Sequence, residues 1–265
     1  MKVSQMPYEH IPLEELKSGM ESIIAGVRSA KTVEEVLAQR ERYLKLNTRL
    51  RTASSLCEIR YTCNTADEYY VAEHDYFDQI GPEIGNLDNE YGRALLEHPL
   101  RSQLEEALSP VYFRYLEVQS KAMSPEIVED MIEENQLTSE YSKLMAGLEF
   151  EFRGEKLSRA ALAAYFKDDD RETRKEAYTV FGHGMNAVAP QLDDIFDRMV
   201  KVRTRMAKKM GYDSFTQLGY YRMNRVCYGQ KEVETFRRNV LEAITPAVAR
   251  MRTENAKKLG VDTYM

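Results

Sequence analysis

Histidine, cysteine and helix-breaking residues are scarce in this sequence. Four histidines and three cysteines stand among 265 residues, so a metal site built inside the chain has little to draw on. Cys57, Cys63 and Cys227 cannot all pair, which suits a reducing compartment better than a disulfide scaffold. Thirteen glycines and eight prolines come to roughly 8% of the chain, against about 12% in average usage. With 30% charged and 43% hydrophobic residues, that scarcity predicts long helices and excludes collagen-like, mucin-like and disordered chains. Basic charge is not in excess either: 37 basic against 43 acidic side chains give −6, with no basic stripe, which argues against a nucleic-acid binder. No apolar run approaches the roughly 18 residues of a membrane span. Met1 to Glu9 carries one lysine and no apolar core, so a signal peptide is not expected. These absences together predict a soluble, cytoplasmic protein.

What is present is helical periodicity. Leu13, Leu16, Met20, Ile23, Ile24 and Val27 recur at three and four. Thr32 with Glu35 has the spacing of a capping box and opens a segment running through Val33, Val36, Leu37, Leu44 and Leu50 toward Cys57. Asp67 to about Ala94 predicts a Tyr-rich helix, kinked or broken around Gly81-Pro82. Ser102 with Glu105 repeats the capping pattern ahead of Leu104, Leu108, Tyr112 and Leu116, and Ser124-Pro125 reads as an N-cap followed by proline at the first helical position. Leu148 to Arg153 alternates strictly before Gly154, which predicts a small β-hairpin, either a packing flap or a substrate-lining edge. The aspartates at 168–170 open a long helical region in which Gly182-His183-Gly184 predicts a bend. Leu192, Ile195, Phe196, Met199, Val202, Met206 and Met210 form its stripe, and Gly211 ends it. Ser214 starts another helix, and Glu232 to Leu259 predicts a last one kinked at Pro246. The fold class is mainly α, a long-helix bundle with one short β-hairpin near residues 148–158.

Most catalytic motifs are missing. His10, His74, His98 and His183 include no pair within a helical turn, so His-Glu-x-x-His is absent. The residues three before them are Pro7, Val71, Leu95 and Val180, which removes the Glu-x-x-His of di-iron bundles. No phosphate loop, dinucleotide fingerprint or nucleophile elbow occurs. His183 reads as structural more readily than as a mobile acid or base, and Cys227 as a buried inert thiol more readily than one activated by Arg225. Glu129, Asp130, Glu133 and Glu134 read as a solvated helix face. Glu68, Glu73 and Asp75 have a spacing equally consistent with cation ligands and with ordinary surface charge. Tyr220, Tyr221, Arg222, Asn224 and Arg225 gather phenols, guanidiniums and an amide that can bond peptide carbonyls or a terminal carboxylate, beside the simpler reading of a packed helix end.

The run Asp170-Arg171-Glu172-Thr173-Arg174-Lys175-Glu176-Ala177 after an alternating Phe-Glu-Phe-Arg-Gly-Glu segment, then Arg203, Ala207, Gly211-Tyr212-Asp213-Ser214-Phe215, Tyr228, Phe236-Arg237 and Pro246, resembles the N-terminal portion of oligoendopeptidase F. That enzyme lies in the wider thimet-oligopeptidase family of zinc metallopeptidases. The resemblance is firmest over 148–259. It implies a mostly helical cytoplasmic enzyme that cleaves short peptides in a deep channel, with zinc on His-Glu-x-x-His and a later glutamate. None of those positions maps onto this chain, so no catalytic or metal residue is expected in it and it should be inactive alone. Zinc belongs to the complete enzyme, and no cofactor is expected for this chain by itself. The implied organisation is an N-terminal helical region, 1–120, and a helical region with the hairpin, 121–265, forming the front part of the peptidase domain. Tyr220, Tyr221 and Arg225 are the candidate substrate contacts. The expected partners are short peptides and the C-terminal catalytic part, with self-association through the face that part would cover, and neither nucleic acid nor membrane. A stand-alone helical scaffold derived from the family is the alternative, and an unrecognised carboxylate site a third.

Overall fold

A computed structural model describes residues 3–262. Its long helices are α1 (Leu13–Ser29), α2 (Val33–Cys63), α3 (Glu68–Leu96), α6 (Val128–Ala146) and α8 (Arg171–Lys209). Two shorter ones, α4 (Arg101–Leu108) and α5 (Pro110–Gln119), lie between α3 and α6. Helix α1 packs on α2 and α3, α3 on α6, and α6 on α8, so the bundle grows outward in chain order. The α1 stripe buries Leu16, Met20, Ile23, Ile24 and Val27 as its periodicity predicts. Thr32 Oγ1 accepts the Glu35 amide at 3.2 Å, while the Glu35 carboxylate accepts from the Lys31 amide at 2.6 Å.

Several local expectations are overturned. Helix α3 runs unbroken through Gly81 and Pro82. Proline cannot donate to the carbonyl four residues back, and that carbonyl, of Asp78, instead accepts from Asn135 Nδ2 of α6 at 3.1 Å. Ser102 lies inside α4 rather than capping it. Glu105 is taken by Arg101 at 2.8 Å, and buried His98 accepts the Leu100 amide through Nδ1 at 3.1 Å. Helix α8 is continuous across Gly182-His183-Gly184. Gly184 serves packing instead: a Cβ there would come within 2.5 Å of the Phe150 ring. Phe196, read as part of the α8 stripe, is 70% exposed.

The hairpin forms as expected. Strands β1 (Glu149–Phe152) and β2 (Glu155–Ser158) pair antiparallel, with Phe150 opposite Leu157, across a turn in which Arg153 and Gly154 both have positive φ. Phe150 and Phe152 are buried against Leu162 of α7 (Arg159–Ala164) and Ala177 of α8, each contributing about 1.5–3 kcal/mol by burial. The hairpin's apolar side therefore faces the core, as a packing flap requires. After α9 (Phe215–Arg222), the expected last helix divides into α10 (Gln230–Asn239), a π-helical turn Val240–Ile244, and α11 (Thr245–Leu259). The wide turn sits where Pro246 withholds an amide, and Thr245 Oγ1 donates to the Val240 carbonyl at 3.2 Å.

Candidate functional site

Helix α9 is locked onto the bundle by buried charge. Glu134 of α6 accepts from Arg222 at 2.7 Å and from Arg203 of α8 at 2.6 Å. One turn earlier, Asp130 meets Arg205 at 2.6 Å and Lys209 at 2.7 Å. Burial works against both carboxylates, but these cations outweigh it and hold each below the ordinary carboxylate range. The solvated-face reading of 129–134 is thereby corrected, because Asp130 and Glu134 are buried inside the α6–α8 contact. Periodicity alone does not reveal this, since the partners sit 69 to 88 residues downstream.

With Arg222 committed to Glu134, the other members of the Tyr–Arg cluster fall into two groups. Arg225 lies over the Tyr220 ring, 4.4 Å from its centroid, and over the Tyr228 ring at 5.2 Å. Asn224, in the left-handed region at φ 53°, turns the chain so that Arg225 folds back on α9. Among the described residues no carboxylate pairs with Arg225, so its guanidinium edge keeps its donors. Tyr221 instead meets Tyr212 at 5.7 Å between centroids and Lys121, whose Nζ lies 5.6 Å from its ring. The structure thus brings Tyr220 and Arg225 together, adds Tyr228 as a second platform, and places Tyr221 in a separate contact.

The single residues resolve as follows. His183 is exposed, and Cys227 is exposed rather than buried. Cys57 is buried, and burial, followed by the charges of Glu73, Glu58 and Asp78, pushes its thiol up to about 12. Glu73 bonds Tyr8 and, at 3.0 Å, His10, which pins the segment before α1 against α3. Glu68, Glu73 and Asp75 therefore do not act as one group. Among the described residues one set of three potential ligands converges, His74, Asp75 and Asp78. It is neither a His-Glu-x-x-His pair nor a combination with a later helix, so these residues do not fit the family's zinc.

Two family models match, Peptidase M3 N-terminal domain over residues 3–123 and Peptidase family M3 over 164–265. The chain belongs to peptidase family M3. No curated protein matches it. Among solved structures it is similar to one named as oligoendopeptidase F, at TM-score 0.95 and 34% identity over 99% of this chain and 46% of that one. PZ peptidase A with an inhibitor gives 0.95 and 36% over 98% of this chain and 46% of that one. An oligoendopeptidase F from Bacillus anthracis gives 0.95 and 31%, covering 99% of this chain and 48% of that one. This family member thus spans just under half the length of the solved chains it matches, and corresponds to their N-terminal portion.

Proposed function

We propose that this chain is the N-terminal, non-catalytic part of a zinc-dependent oligopeptidase that hydrolyses short peptides in an enclosed channel. The supporting observation is superposition of nearly the whole chain on just under half of peptidases of this kind, with the sequence containing no His-Glu-x-x-His. The zinc and the activated water belong to the catalytic part. The first 120 residues form one helical region and the rest a second, the front of the peptidase domain. Phe236, Leu241, Ile244, Met251 and Leu259 of the α10–α11 segment are exposed, and the catalytic part is the partner that covers them.

Within that assembly this chain binds and orients peptide. Arg225, held flat by Tyr220 and Tyr228, presents N–H donors to a peptide carboxylate or carbonyl, and the hydroxyl of Tyr221, in its separate contact with Tyr212 and Lys121, bonds the peptide at another point. Among the described residues no helix is long and apolar enough to cross a membrane, and the acidic balance disfavours nucleic acid. A cytoplasmic setting is part of the proposal, supported by the three free cysteines, which suit a reducing compartment. A quenched-peptide assay tests the reading: no hydrolysis by this chain alone, and hydrolysis when the catalytic part is supplied. Robust cleavage by the chain alone sinks it. In the complete enzyme, Arg225→Ala lowers kcat/KM about ten- to a hundredfold, the worth of one charge-assisted hydrogen bond. Unchanged kcat/KM in Arg225→Ala and Tyr221→Phe removes these residues from the substrate site.

A further inference from the structure

The groove between α3 and α6, about 610 Å³ in volume, is lined by Asp75, Asp78, Ser139 and Lys143. At its α2 side stands His74. The imidazole stacks on Tyr61 at 4.0 Å between centroids, and its Nε2 lies 3.1 Å from the Glu58 carboxylate. With its proton on Nε2, beside the Glu58 carboxylate, Nδ1 is the lone-pair nitrogen. That atom is sealed from solvent without a hydrogen-bond partner and faces Asp78 Oδ2 at 3.7 Å. A lone pair set against a carboxylate is unfavourable unless a cation lies between them. A proton on Nδ1 gives an ion pair with Asp78 at 3.7 Å, longer than a hydrogen bond.

A second observation points to the same place. The Tyr61 hydroxyl is buried and unpartnered, in a residue only 2% exposed, and the charges acting on it are those of Lys143, Asp75, Asp78 and Glu58. A buried hydroxyl without a partner costs about 1–3 kcal/mol. Stacked on His74, this residue is placed to bond the water carried by an ion at the neighbouring carboxylates.

From this geometry we infer that His74 Nδ1, Asp78 and Asp75 form a binding site for a divalent transition-metal ion. Their ligand atoms lie within 4.8 Å of one another, and an ion about 2.1 Å from Nδ1 and from Asp78 Oδ2 spans the gap between them. The outer partners of such a site are in place. Glu58 stands 3.1 Å from Nε2, Ser139 Oγ donates to Asp78 Oδ2 at 2.5 Å, and the groove opens on Asp75 and Asp78. Lys143, 3.2 Å from Asp75, is the resident counter-charge. The ion replaces it, and the 42% exposed lysine turns into solvent. The site departs from the expectation that this chain alone binds no metal, and it is independent of the peptidase reading.

The test is titration of this chain with Mn²⁺ alone, which avoids the thiolates of exposed Cys63 and Cys227, following the free-ion electron paramagnetic resonance signal. One ion per chain is expected. His74→Ala and Asp78→Asn each weaken binding at least about tenfold, and Lys143→Met strengthens it. Should His74→Ala misfold, the paramagnetic broadening of the wild-type His74 ring resonances by substoichiometric Mn²⁺ reads the same contact. Absence of saturable uptake overturns the assignment. So does uptake that is unaltered in Asp78→Asn, or a wild-type His74 ring that Mn²⁺ leaves sharp.

Discussion

At Gly184 the absence of one carbon decides how the hairpin meets the bundle. Phe150 lies so close that a Cβ would sit 2.5 Å from its ring, so the ring or the helix would have to shift. Gly184→Ala is expected to destabilise the chain by about 1–3 kcal/mol in urea unfolding, with Phe150→Leu added to the variant recovering part of the loss. The dipeptide context Gly-His-Gly reads as a bend in sequence because helix propensity is local, whereas the contact that requires glycine arrives from thirty-odd residues away. Glu134 teaches the same lesson for charge. Its folded pKa lies below its unfolded one, so the stability it contributes is present above the ordinary carboxylate range and is lost as pH falls through that range toward the folded value. Glu134→Gln is expected to cost about 1–3 kcal/mol near neutral pH. It should also flatten the fall in stability measured by denaturant unfolding below pH about 4.5, near the ordinary midpoint of glutamate titration. An acid limb as steep as the wild type's would show that the pair with Arg203 and Arg222 contributes little.

Among the elements, the prolines inside helices show how tertiary partners repair local defects. The α3 break expected around Pro82 fails to appear, and Asn135 supplies the donor that proline withholds from the Asp78 carbonyl. Asn135→Ala should therefore cost about 1–2 kcal/mol, with hydrogen exchange accelerating in α3 around Gln79–Glu83 more than in α1. Uniform acceleration across both helices would mean that Asn135 merely packs. At Pro246 no such partner is available, and the backbone widens into a π turn instead. Capping at Thr32 and at Ser124 was legible, since an N-cap needs only residues within one turn. The start of α4 was not, because its N-cap is Leu100, whose amide donates to His98, and Ser102 lies inside the helix.

For the molecule as a whole, the unpaired apolar side chains of the α10–α11 segment govern behaviour in solution. Phe236 is 67% and Leu241 66% exposed, on a segment with no large core beneath it. The chain by itself is expected to self-associate in sedimentation velocity at tens of micromolar. Phe236→Ser with Leu241→Ser should shift it toward monomer without lowering its helical signal. A wild-type chain that stays monomeric across that range refutes a sticky face.

Composition and periodicity determined the helical class, the α1 stripe, and the hairpin with its Gly154 turn, because each depends on residues close in sequence; the family was legible only as a resemblance carried by an ordered set of residues. The missing zinc motif was legible for the same reason. Only the tertiary structure decided that Asp130 and Glu134 are buried, that Arg222 is spent on Glu134 while Arg225 is free between two rings, and that His74 and Asp78 face each other beside Tyr61. Those outcomes depend on which helix packs against which. Burial and electrostatics act through space, and spacing along the chain records only what lies within a turn or two.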